Sequence, residues 1–302
     1  MSVIDAIIQG IIQGLTEFLP VSSSGHLTVY QHVTGSGGNS EALLFSVLLH
    51  IGTLLAVAIV YYKLIGRLIV ELFRLIGDIF TLRFSWKSMN SERRMLIMMI
   101  LSVAMLVPLV LPIFGGQSLQ DLMEPITEGG NIIIVGCCFL LTSALLLTAY
   151  FLSKRKGGRR PDARVKDALW IGAAQDVAAL LPGVSRSGST IATGLICGLE
   201  RSYMVQYTFI MSVPTILAAN VLLAGKEAIE SGNTAIELLP TLAGVITAAV
   251  VGVLSIKMID WIIRKDRYNW FGYYCAVMGV AVIALGIWEQ SSGTTLASLL
   301  GR

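Results

Sequence analysis

Glu17 is a lone carboxylate in an otherwise apolar stretch. A carboxylate at membrane depth is energetically costly and is usually there for function. The alternative is a glutamate at the water interface, but Pro20 and the serines after it point to a wet cavity nearby. Gln13 stands four residues earlier, so the two side chains share a helix face. Val21-Ser22-Ser23-Ser24-Gly25-His26 follows at once. Serines at a helix start supply hydroxyls and backbone N–H groups, and with the helix dipole these form an anion site suited to phosphate. Capping a helix needs one serine; three in a row with a histidine exceed that. Of the three histidines, His26 is the best candidate for general acid/base or nucleophile. His32 falls in a polar loop and reads as solvated. His50, inside an apolar helix, reads as a structural residue with one satisfied hydrogen bond.

A second polar run, Gln175-Asp176 to Pro182-Gly183-Val184-Ser185-Arg186-Ser187-Gly188-Ser189-Thr190, repeats the first. Gln13 stands before Pro20 as Gln175 stands before Pro182. After the extra residue Gly183, the positions Ser22, Ser24 and Gly25 match Ser185, Ser187 and Gly188, and Arg186 replaces Ser23. An arginine among hydroxyls can clamp phosphate, because its planar fork pairs two oxygens; the plainer reading is an arginine reaching lipid headgroups. Gln175 and Asp176 add polar contacts, and Arg201 reads as an interfacial anchor. Brought tip to tip, the two runs place Glu17, serines and His26 opposite Arg186 and its hydroxyls. That set suits hydrolysis of a phosphoanhydride on a lipid. A carboxylate facing phosphates also invites a divalent cation, Mg²⁺ or Ca²⁺.

The elements that must position these groups are membrane helices. The 302 residues are 55% hydrophobic and 14% charged, with mean hydropathy +0.75; a soluble domain carries about 25% charged residues. The net charge of +3 is small, and the basic residues sit between apolar runs rather than on one face, which argues against nucleic-acid binding. Apolar runs long enough to span occur at 43–62, 95–114, 131–152, 203–225, 238–263 and 270–288. Regions 2–30 and 168–199 are broken by Pro, Gly and Ser, and each reads as a re-entrant helical hairpin. The first basic residue is Lys63, so no cleavable signal peptide is expected. Cys137, Cys138, Cys197 and Cys275 lie in apolar stretches without zinc spacing and read as packing residues.

Lys and Arg concentrate in 63–94, 153–167 and 264–269, while 115–130 has none and 226–237 only Lys226. The bias of basic loops to the cytoplasm puts the first hairpin on the outer side and the second on the inner. The expected fold is therefore an all-α polytopic membrane protein forming a single membrane domain, 1–302. It comprises six transmembrane helices plus two re-entrant helical hairpins in an inverted-topology repeat, residues 1–152 and 153–302. Both termini and the cleft are expected on the extracytoplasmic side of a cell membrane. Small-residue faces such as Gly244, Ala248, Ala249 and Gly252 suit helix packing and a possible homodimer. Paired broken helices also signal transporters, so a lipid-phosphate flippase is the rival reading. Glu17 and His26 beside the serines exceed what binding alone requires.

The sequence resembles the undecaprenyl-diphosphatase family, also called the bacitracin-resistance family, through Gln13-x-x-x-Glu17, the run Pro20 to His26, and Pro182 to Thr190. The likeness spans nearly the whole chain, including His50-Ile51-Gly52-Thr53. It implies removal of the terminal phosphate from a polyprenyl diphosphate, which recycles the carrier lipid for cell-wall polymers. It also implies functional roles for Glu17, Ser23, His26 and Arg186. The diphosphate is then held by Ser22, Ser24, Gly25, Ser185, Ser187, Gly188 and Thr190. Glu17 and Gln13 are the expected cation ligands, although Gln13, where the family also allows Glu, supplies no second negative charge. Ser23, His26 or a water serves as nucleophile.

Overall fold

The computed structural model describes residues 1–37, 40–111, 117–119, 122–123, 131–155, 159–181, 183–230 and 237–299. Pro182 and most of 115–130 and 226–237, expected in a motif turn and two loops, lie outside the described residues or have undescribed side chains. The described chain is helical, without strands. In order, α1 is Val3–Thr16, α2 Ser23–Thr34, α3 Ser40–Phe80, α4 Ser91–Ala104 and α5 Val107–Val110. These are followed by α6 Ile132–Arg155, α7 Val165–Leu180, α8 Arg186–Ile196, α9 Arg201–Glu230, α10 Leu238–Arg264, α11 Asn269–Ser292 and α12 Leu296–Leu299. Six segments are long and apolar enough to cross a membrane: Leu44–Phe80, Ser91–Val110, Ile132–Lys154, Arg201–Val221, Leu238–Arg264 and Asn269–Ser292. The protein is a polytopic all-α membrane protein, as the apolar runs require.

One boundary differs from expectation. The basic residues after 62 do not end the helix; α3 continues to Phe80, with only Tyr61 leaving helical geometry (φ −107°, ψ 20°). Glu71 is buried there between Arg74 (2.7 Å) and Arg93 (3.0 Å). Paired charges of this kind are compatible with a continuing helix, and no proline interrupts 63–80. At about 1.5 Å per residue, the segment is far longer than a hydrocarbon core of about 30 Å.

Helix α1 packs along α10, and α7 packs along α4. Glycines set the first of these contacts. A Cβ on Gly14 would come within 2.6 Å of the Ala248 carbonyl oxygen, and one on Gly252 within 2.9 Å of Phe18 and Ala56. The small-residue face of α10, a candidate for contact between copies, is thus covered within the chain by α1 and α3. The four cysteines are free thiols.

Each broken region is a helix, a tight turn and a second helix. Ser22 Oγ accepts from Gly25 N (3.1 Å), and Ser185 Oγ accepts from Gly188 N (3.0 Å). The caps are alike but the backbones entering them differ. Ser22 itself takes a positive φ of 74°, whereas in the second turn the positive φ, 110°, falls on the inserted Gly183. Glycine adopts that region without steric penalty; serine does not.

The base of the second helix pair is tied by Arg160. Its guanidinium donates to both Asp167 oxygens (2.7 and 3.0 Å) and to the Cys197 carbonyl (2.8 Å). Burial alone would raise the Asp167 carboxyl, but the Arg160 fork and the Arg164 N–H outweigh it and hold the group below its usual range. A carboxyl depressed in the folded state contributes stability above its unfolded pKa, and that contribution is lost as pH falls through the folded value. Asp167→Asn is therefore expected to lower the melting temperature at pH 7, with the gap to the parent closing at acid pH. A gap independent of pH would show that the charge of Asp167 is not what ties the base.

Candidate active site

The turn after α1 meets the turn before α8 inside the protein. Gly183 N donates to Ser24 Oγ (3.2 Å), and Ser187 Oγ donates to the Leu19 carbonyl (3.4 Å). Behind them, Ser185 N donates to Thr142 Oγ1 of α6 (3.0 Å), and Phe18 packs edge-on to Phe209 of α9 at 5.2 Å. These contacts fix two separately encoded turns against each other.

Between the turns lies a cavity of about 260 Å³. Glu17, Ser22, Ser23 and Ser24 line one side, and Ser185, Arg186 and Ser187 the other. Glu17 is the hub. Its Oε1 accepts from Arg186 Nη2, and its Oε2 accepts from Ser23 Oγ (2.6 Å) and Gln13 Nε2 (3.1 Å). The carboxylate is 7% exposed and Gln13 fully buried. A buried charge pair of this kind holds only when its remaining lone pairs are bonded, which Ser23 and Gln13 achieve. The resulting unit joins a hydroxyl and a carboxylate to a guanidinium 169 residues away from Glu17 along the chain.

Other expected residues stand behind the cavity wall. Gly25 and Gly188 give their N–H groups to the Ser22 and Ser185 caps. Thr190 Oγ1 donates to the Arg186 carbonyl (2.9 Å) and meets Thr208 Oγ1 (3.2 Å). Thr190 thus supports the arginine's backbone rather than facing the cavity.

His26 is not among the residues lining the cavity. Its Nδ1 meets the Ser22 carbonyl (2.6 Å), and its Nε2 meets the Tyr274 hydroxyl (2.7 Å). The ring is stacked on Tyr274 and edge-on to Phe139. Both ring nitrogens are engaged, and through them His26 ties the Ser22 turn to α11. The histidine in the cavity is His50. Its Nδ1 meets the Ser46 carbonyl (2.8 Å), and its Nε2 lies 3.7 Å from Glu17 Oε2. Thr215 and Asn220 of α9 also line the cavity. Sequence reasoning read His50 as structural and missed Thr215 and Asn220, because each is an isolated polar residue in a long apolar helix. The available signal was the cost of a polar side chain at that depth. The remaining lining is Thr16 and the apolar Val47, Ala178, Val184, Ile216 and Ala219.

The fit to a divalent cation rests on one atom. Gln13 Oε1 is buried with no hydrogen-bond partner, beside the Glu17 carboxylate. Among the described residues no group of three or more His, Cys, Asp or Glu could hold a metal. The pair offers one carboxylate and one amide oxygen, so a cation there would need most of its ligands from elsewhere, as Mg²⁺ commonly takes them from water or phosphate.

Residues 6–281 match the family model described as "Bacitracin resistance protein BacA". A relative in Bacteroides fragilis (strain YCH46), named undecaprenyl-diphosphatase, is 38% identical over 284 residues, 93% of this chain and 97% of its own. One of the same name in Bacteroides thetaiotaomicron is 37% identical, covering 94% and 98%. Another in Carboxydothermus hydrogenoformans is 33% identical, covering 94% and 98%.

Proposed function

The chain belongs to the bacitracin-resistance protein BacA family, and from that premise we propose that it hydrolyses undecaprenyl diphosphate to the monophosphate and inorganic phosphate. The observation that carries this reading is the Ser23–Glu17–Arg186 unit facing a cavity lined by both polar and apolar side chains. The hydroxyls and Arg186 take the diphosphate, and the apolar residues among the lining give the first isoprene units a place to lie. Lipid-phosphate translocation, the rival reading, gains nothing from the relatives, which are named as phosphatases.

The chemistry follows from what each residue touches. Arg186 has donors beyond the one given to Glu17 and pairs them with phosphate oxygens in its planar fork. Ser22, Ser24, Ser185 and Ser187 hold the rest of the group in line, and phosphoryl transfer needs chiefly such positioning and charge stabilisation. Ser23 Oγ, whose hydroxyl already donates to Glu17, attacks the terminal phosphorus. Its bond to phosphorus forms as the bridging P–O bond breaks, the lipid monophosphate leaves, and the serine proton passes through Glu17 to solvent. His26, with both nitrogens occupied, keeps the turn in place. Glu17 and Gln13 Oε1 would hold a Mg²⁺ or Ca²⁺ ion, which when bound offsets the negative charge of the diphosphate.

The two halves, 1–152 and 153–302, read as an inverted repeat. In support, each lends its first helix to the other: α1 lies on α10, and α7 on α4. The helix–turn–helix regions 2–30 and 168–199 are then re-entrant hairpins, with the basic segments cytoplasmic and the termini and cavity mouth outward. Inner-membrane right-side-out vesicles given external substrate should release phosphate; release only from inverted vesicles would reverse this orientation. For the activity itself, purified protein in detergent is expected to release phosphate from a polyprenyl diphosphate and to stop when EDTA is added. Folded protein that binds the lipid without releasing phosphate would sink the reading.

A further inference from the structure

His50 belongs to none of the paired turns, yet it faces the reacting group. The Ser46 carbonyl can only accept, so Nδ1 carries the ring hydrogen and Nε2 is the atom turned to Glu17. At 3.7 Å, Nε2 and Glu17 Oε2 are too far apart to bond directly. With the ring neutral, Nε2 and Oε2 are both acceptors, so the gap suits a small molecule that donates to both.

Glu17 Oε2 already accepts from Ser23 and Gln13. Once Ser23 carries a phosphoryl group it has no hydroxyl hydrogen to give, and an acceptor position on Oε2 falls vacant beside His50. We propose that His50 is a positioning residue for the second half of the reaction: with Glu17 it holds the water that hydrolyses phosphorylated Ser23. This rests on the reading of Ser23 as nucleophile given above. The water oxygen bonds to phosphorus as the Ser23 Oγ–P bond breaks. One water proton stays on the released phosphate and the other ends on Ser23 Oγ.

This role has a kinetic signature that a merely structural one lacks. The parameter kcat/KM reports only steps up to monophosphate release, whereas kcat includes the hydrolysis that follows. His50→Leu is therefore expected to lower kcat by about tenfold or more, to lower KM alongside it, and to leave kcat/KM within about twofold. Acid-quenched protein should then carry phosphoserine at position 23, found by peptide mass, at higher occupancy than the parent. His50→Gln, whose amide restores an acceptor, is expected to recover most of kcat. The inference is overturned by kcat within twofold of the parent in His50→Leu, by kcat/KM falling with kcat, or by slowed turnover without phosphoserine. It is also overturned if glutamine is no better than leucine in proteins of equal melting temperature. Activity persisting in Ser23→Ala would instead strike the underlying reading.

Discussion

Ser23→Ala is expected to abolish phosphate release, by about a thousandfold or more, the scale of removing a serine nucleophile. The protein should remain folded. Ser23 makes one side-chain hydrogen bond, to Glu17, and the cap of α2 is built from Ser22 instead. The loss should therefore appear in kcat with little change in melting temperature or in binding of the lipid diphosphate. The check is steady-state phosphate release beside a thermal melt in the same detergent. Activity within about tenfold of the parent would mean that water attacks phosphorus directly and that Ser23 only orients it, since positioning contributes less than nucleophilic attack.

The Glu17–Arg186 pair should show an effect of similar size, with stability and catalysis moving apart. Removing one partner of a buried ion pair leaves an uncompensated charge and costs about 3–5 kcal/mol. Glu17→Ala and Arg186→Ala should therefore both lower the melting temperature and reduce kcat by at least about 100-fold, the scale of losing one charge-stabilising donor. The double variant removes both charges, so its melting temperature should lie above the sum of the single losses, while its activity stays absent. Arg186→Lys keeps the charge but not the fork, and should regain stability more than rate. If activity recovered together with stability in the double variant, the pair would be a structural tie and not part of the reaction.

The meeting of the two turns was legible in sequence because capping is local chemistry: a serine and a glycine three residues later fix each turn without reference to the rest of the chain. The six spans were legible for the same reason, since a long apolar run has few alternatives in water. The end of α3 was not. It was inferred from charge, and Glu71 shows that charge inside a helix is settled by partners such as Arg93, which belong to another helix. The placement of the two histidines was hidden on similar grounds. His26 stands in a motif, but its direction is decided by Tyr274, 248 residues away. His50 stands in no motif, and its access to the cavity depends on how α3 is rotated against the first turn.

The close seating of α1 on α10 also bears on how the molecule is made. The glycine face of α1 leaves the ribosome more than 200 residues before the surface it fits, around Gly244, Ala248 and Gly252. Helix α1 therefore has no α10 to seat on, and Glu17 no Arg186, until those later segments are synthesised. Biogenesis thus has an obligatory late event, and a chain stalled before α10 carries every residue of the reacting group yet has no platform to seat it. Such a chain would be a natural client for membrane insertion and quality-control machinery.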